Sequence, residues 1–81
     1  PTPQSYDLLA WAYYNKGDYE KALKIVESNI LEKTFEPEAQ YHMAEIFKAN
    51  GREALVMKFK KELLEATYEL GPVMEEKVRA L

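Results

Sequence analysis

The chain reads as an all-α domain of antiparallel helix hairpins, about five helices in all. Three observations predict this. Between breaks, apolar residues recur at the i, i+3, i+4, i+7 spacing of one helix face. The breaks themselves hold Gly and Pro, the residues that stop and start helices. No stretch alternates apolar and polar residues with period two for long enough to make a strand. The 81 residues suffice for one domain and not for two, so residues 1–81 are taken as a single unit.

The first helix is predicted near 3–16. Thr2 is placed to cap it, Pro3 has the φ of a first helical turn, and Tyr6, Leu9, Ala10 and Tyr13 form its apolar stripe. Asn15-Lys16-Gly17-Asp18 ends it, with Gly17 supplying the positive φ of a helix stop and Asp18 capping the next helix. The second helix, near 18–33, carries Ala22, Ile25, Val26 and Ile30 on one face. Lys33-Thr34-Phe35-Glu36-Pro37 breaks the chain again. The third, near 37–50, presents Met43, Ala44 and Phe47 and stops at Ala49-Asn50-Gly51-Arg52. The fourth, near 53–70, presents Val56, Phe59, Leu63, Ala66 and Leu70. After Gly71-Pro72 a last helix, near 72–81, places Met74, Val78 and Leu81 on one side. Loops of a few residues force consecutive helices into antiparallel hairpins.

Composition narrows the function. Eleven Lys and Arg against fourteen Asp and Glu leave a net charge of −3, which gives no general attraction to nucleic acid or to anionic lipid. With no Cys, disulfides, thiolate metal sites and cysteine nucleophiles are excluded. No apolar run approaches the roughly 20 residues of a membrane-spanning helix, and no signal-peptide segment is present. A soluble, cytoplasmic chain is the default expectation. The chain opens at Pro1 rather than Met, so a longer gene product is expected.

Sliding the chain against itself exposes a period. A shift that lays Pro3 on Pro37 also lays Leu9 on Met43, Ala10 on Ala44, Tyr13 on Phe47, Gly17 on Gly51, Ile25 on Phe59 and Ile30 on Leu64. A fixed period of this length marks a stacked repeat architecture. Tyr6-x-x-Leu9-Ala10-x-x-Tyr13 and Ala22-x-x-x-Val26 resemble the two helix patterns of the tetratricopeptide repeat family. The stretch from Ala12 to Leu23 is similar to that family's most typical segment. The second copy, Gln40-x-x-Met43-Ala44-x-x-Phe47 followed by Val56 and Lys60, is weaker and is supported by its register with the first. The resemblance covers about residues 3–70. It implies a short right-handed α-solenoid: one repeat near 3–36, a second near 37–70 and a capping helix near 72–81. Ala10, Ala22 and Ala44 would let helices approach closely, with Leu9, Tyr13, Phe47 and Phe59 filling the space around them. Two repeats and a cap fall short of the usual three, which suggests the end of a longer array or a unit that self-associates.

The resemblance also implies where a partner would bind, because the first helix of each repeat lines a concave groove that takes extended or helical peptides. Projected onto this chain, Gln4, Asp7, Trp11, Tyr14 and Asn15 face the groove from the first repeat, and Glu38, Tyr41, Glu45, Lys48 and Ala49 from the second. Trp11, Tyr14 and Tyr41 offer large, rigid contact area, Asp7, Glu45 and Lys48 would orient a partner, and Asn15 completes the groove set. The competing reading packs these aromatics on a neighbouring repeat or a second copy. One subtype of the family grips a carboxylate with Lys, Arg and Asn; Asp7, Trp11, Tyr41 and Glu45 at the matching places argue against that role here. Acidic residues in the groove suit apolar or basic segments instead.

Other chemistry finds little support. His42 lies one turn from Glu38 and Glu45, but one His without further ligands is a packing or surface residue more often than a metal site. No carboxylate stands isolated in an apolar stretch, and there is no phosphate loop or nucleophile elbow. Arg52, Lys58, Lys60 and Lys61 are interleaved with Glu53, Glu62 and Glu65, the pattern of a solvated helix face. Met57 and Met74 read as core filler. The expectation is a non-catalytic interaction or scaffold module with a protein or peptide partner. No cofactor, metal, nucleic acid or membrane is expected, and a homodimer or neighbouring repeats form the alternative.

Overall fold

A computed structural model describes residues 3–30, 36–65 and 67–81. Among the described residues the chain is entirely helical, with five α-helices and no strand. Helix α1 spans Pro3–Asn15, α2 Tyr19–Ile25, α3 Pro37–Ala49, α4 Glu53–Glu65 and α5 Thr67–Arg79. Helix α2 runs on into one wider π-turn at Val26–Ile30. The expected cap at Thr2, the tail of the second helix at 31–33 and position 66 lie outside the described residues, as do the side chains of Ile30 and Leu70.

The two short bends are built alike. At the end of α1 the N–H of Gly17 donates to the Tyr14 carbonyl and that of Asp18 to the Tyr13 carbonyl, at 3.0 and 2.9 Å. At the end of α3 the N–H of Gly51 donates to Lys48 and that of Arg52 to Phe47, at 3.2 and 2.9 Å. Both sets match the paired bonds of a helix terminus that closes on a left-handed glycine, and the φ values are 89° at Gly17 and 72° at Gly51. The second bend therefore repeats the first. The helix starts beyond the bends differ: the Asp18 carboxylate accepts the Lys21 N–H at 3.2 Å, capping α2, whereas the Arg52 side chain has only donors and cannot cap α4.

Pro37 opens α3 at a position where a missing N–H costs no helical bond. Helix α5 is interrupted at Gly71, whose φ of 76° and ψ of 163° are open essentially to glycine alone. Pro72 then restarts the helix, so the break falls where the sequence predicts it.

Helices α1 and α2 pack as one hairpin and α3 and α4 as the next. Helix α3 also touches α1 and α2, and α5 lies against α4 and α3. The core between them is Ala10, Ala22, Val26, Met43, Ala44, Ile46, Phe47, Val56 and Phe59, with the Phe47 and Phe59 rings stacked 5.7 Å apart. Ala10 and Ala44 are fully buried, and so is Val78 of α5, one further period along. Leu81, just beyond α5, packs half-buried against the same core.

Two core assignments are corrected. Leu9 is 45% exposed although its period mate Met43 is buried, and Met57 is 62% exposed although its mate Leu23 is buried. The reason is position in the stack. Among the described residues, helix α3 packs against α1, α2, α4 and α5, whereas α1 packs mainly against the α2 segment and α3. Period alone fixes which residue points where; it does not say whether another layer lies there.

Candidate functional site

The side-by-side packing of α1 and α3 gathers an aromatic cluster. Asp7, Trp11 and Tyr14 sit at i, i+4 and i+7 on α1, one face of that helix. Tyr41, His42 and Glu45 meet them from α3. Trp11 stacks on Tyr14, with ring centroids 4.6 Å apart and planes 5° from parallel, and on His42 at 4.0 Å and 17°. Tyr41 leans on Trp11 at 6.4 Å with a 57° tilt, inside the range of favourable aromatic pairs. The cluster is therefore a joint between the hairpins as well as a surface.

Beneath it lies a buried polar pair. His42 Nδ1 is 3.0 Å from Asp7 Oδ2 and 3.2 Å from Oδ1, with both residues only 8% exposed. Facing a carboxylate, Nδ1 is the donor, and the pair satisfies two polar groups that burial would otherwise penalise. The other ring nitrogen of His42 lies 4.0 Å from Glu38 Oε1, at a carboxylate that is largely in solvent. The sequence expectation that Asp7 orients a partner in an open groove is corrected: its carboxylate is engaged by His42 inside the joint. His42, expected as a packing or surface residue, is a packing residue whose Nδ1 edge is matched.

At the rim, the Tyr41 hydroxyl donates to Glu45 Oε2 at 2.9 Å. Burial, helped by this bond and by the Glu45 charge, pushes the Tyr41 phenol up to about 12. Tyr14 is raised as well, by burial first and then by the charges of Glu45 and Tyr19. Both shifts favour neutral phenols, through burial first and the Glu45 carboxylate second. Asn15 and Lys48 are exposed, and among the described residues no hydrogen bond or ring contact ties either to the cluster. The side chain of Gln4 lies outside the described residues; Glu38 and Ala49 are exposed.

Tyr19 belongs to the site, and the sequence pattern does not reveal it. It is 43% exposed, and its ring lies 5.4 Å from that of Tyr14 with a 50° tilt. The available signal is the bend: a helix stop two residues before Tyr19 folds the start of α2 back beside the end of α1. Asn50 secures this corner, its side-chain amide donating to the Tyr19 carbonyl at 3.0 Å and to the Ile46 carbonyl at 2.8 Å.

Among the described residues no three His, Asp or Glu side chains converge as a metal site would require, and no helix is long and apolar enough to cross a membrane. An open groove of about 670 Å³ lies elsewhere, on α4, between Ala54, Met57, Leu64 and the stems of Lys58, Lys60 and Lys61. Its lining includes Lys58, Lys60, Lys61 and Glu65, all from one helix, whereas the aromatic joint brings hydrogen-bonded polar groups together from two helices. No protein-family model, curated protein or solved structure matches this chain.

Proposed function

We propose that the chain is a non-catalytic protein-interaction module: a short, right-handed α-solenoid of tetratricopeptide type that docks a partner peptide or helix on the Trp11, Tyr14 and Tyr41 face. The observation that carries the reading is the aromatic cluster itself. It is assembled from two successive hairpins, remains partly open to solvent and is edged by a carboxylate. Half-buried Tyr and Trp held rigid by neighbours lose little entropy on binding and bury much apolar area, the properties of interface hot spots. The repeated bends at Gly17 and Gly51 support the stacked architecture.

Trp11→Ala and Tyr41→Ala are each expected to weaken partner binding about tenfold or more, as truncated hot spots do. Unchanged affinity in both variants would overturn the groove assignment.

A second reading, self-association or assembly as the end unit of a longer array, is favoured by a different observation. Leu8 and Leu9 are 68% and 45% exposed on the open side of α1. Sedimentation over a dilution series tests it: concentration-dependent dimerisation abolished by Leu8→Glu, with Trp11 becoming open to quencher on dissociation, would replace the peptide-binding reading.

A further inference from the structure

We infer that the partner segment is basic and places an arginine against Tyr14 and Tyr19 beside Glu45, an inference that rests on the peptide-binding reading above. Three features converge there. Tyr14 and Tyr19 lie 5.4 Å apart and 50° from parallel, giving an open aromatic corner next to solvent. Aromatic faces attract cations through their quadrupole. Tyr41 occupies Oε2 of Glu45, and among the described residues no donor reaches Oε1, which leaves one carboxylate oxygen for an incoming N–H. The hydroxyls of Tyr14 and Tyr19 likewise have no hydrogen-bond partner among the described residues, so both can accept.

The surrounding charge has the right sign. Asp7 is matched in its pairing with His42, but Glu45 and the exposed Glu38 are not matched by an ion-paired Lys or Arg among the described residues. Lys48, one turn from Glu45, forms no ion pair with it. The Glu45 charge, which adds to burial in raising the Tyr14 and Tyr41 phenols, has the sign that attracts a cation. Arginine fits better than lysine, because its planar fork can lie on a phenol ring and still donate in its own plane to a carboxylate. A carboxylate-bearing segment would meet Glu45 and Glu38 and be repelled.

Selection of a displayed random peptide library on the wild-type chain, with counter-selection on Tyr41→Ala, tests this. The expected result is enrichment of Arg, and less strongly of Lys, at one fixed position of the groove-dependent peptides. Replacing that Arg by citrulline, which keeps shape and loses charge, should weaken binding roughly tenfold. Glu45→Gln, a rim change that leaves the core untouched, should erase the preference for Arg over citrulline. Groove-dependent peptides without a basic position, or equal binding of Arg and citrulline forms, would overturn this inference and leave the docking face standing. Failure to recover any groove-dependent peptide would overturn both.

Discussion

The buried Asp7–His42 pair offers the sharpest test of how the hairpins are joined. Asp7→Ala leaves the His42 Nδ1–H without a partner in a site where both side chains keep only about a tenth of their surface in water. An orphaned buried donor costs about 1–3 kcal/mol. His42→Phe keeps a ring against Trp11 and strands the Asp7 carboxylate, which costs at least as much. In the double variant neither group remains to be unsatisfied, so the two losses should not add. A coupling of about 1.5 kcal/mol or more is expected, inside the range for directly bonded partners. At roughly 0.05–0.15 kcal/mol per residue, an 81-residue domain has about 4–12 kcal/mol in total, so each single variant removes a visible share. Urea unfolding reads it, followed by the fluorescence of Trp11, the sole tryptophan, with the slope held constant across variants. A coupling below about 0.5 kcal/mol would refute the claim that this pair secures α1 to α3.

The bends and the rim give two further tests. At Gly51 an added Cβ would meet nothing within 4 Å, so Gly51→Ala costs only the backbone's left-handed conformation, about 1 kcal/mol, and Gly51→Asn should cost less. The same pair of substitutions at Gly17 should agree to within about 0.5 kcal/mol; denaturation midpoints that differ widely would break the equivalence of the two bends. For Tyr41, a folded-state value raised to about 12 against an unfolded 10.0 means the unfolded chain loses its proton first. Its contribution is therefore complete below pH 10 and falls away as pH rises from 10 toward 12. Tyr41→Phe should flatten that alkaline loss in stability measured against pH, and an unchanged slope would count against the burial and the Glu45 bond that raise the phenol.

The parts of the fold legible in the sequence are those decided within a few residues. The Gly17 and Gly51 bends, the Asp18 cap and the Gly71-Pro72 break depend on local backbone chemistry, and each stands where the sequence places it. Buried Ala10 and Ala44 are legible through the period, because small residues at matching places imply close approach. Leu9 and Met57 escape such a reading because burial depends on whether a further layer covers a face, which no local pattern encodes. Asp7 escapes it for a related reason. Its partner is 35 residues away in sequence, and only the lateral packing of α1 on α3 turns a groove carboxylate into half of a buried pair. Tyr19 follows a bend, where helix periodicity restarts and stripe counting carries no information across.

The same contacts that join the hairpins display the docking face, and this constrains how binding data are to be read. Trp11 stacks on His42 as well as on Tyr14, so Trp11→Ala removes a hot spot and loosens the α1–α3 joint in one step. A loss of affinity in that variant mixes direct contact with displacement of Tyr14 and Tyr41. The outer rim separates the two effects. Glu45 bonds only the Tyr41 hydroxyl among the described residues, and the Tyr19 ring reaches the cluster through Tyr14 alone. Glu45→Gln and Tyr19→Ala therefore change what a partner touches while leaving the Asp7–His42–Trp11 joint intact. If these two rim variants weaken binding at unchanged unfolding midpoint, the partner contacts the rim directly. If only Trp11→Ala weakens it, and in step with stability, the aromatics serve the stack, and docking must be sought on another face.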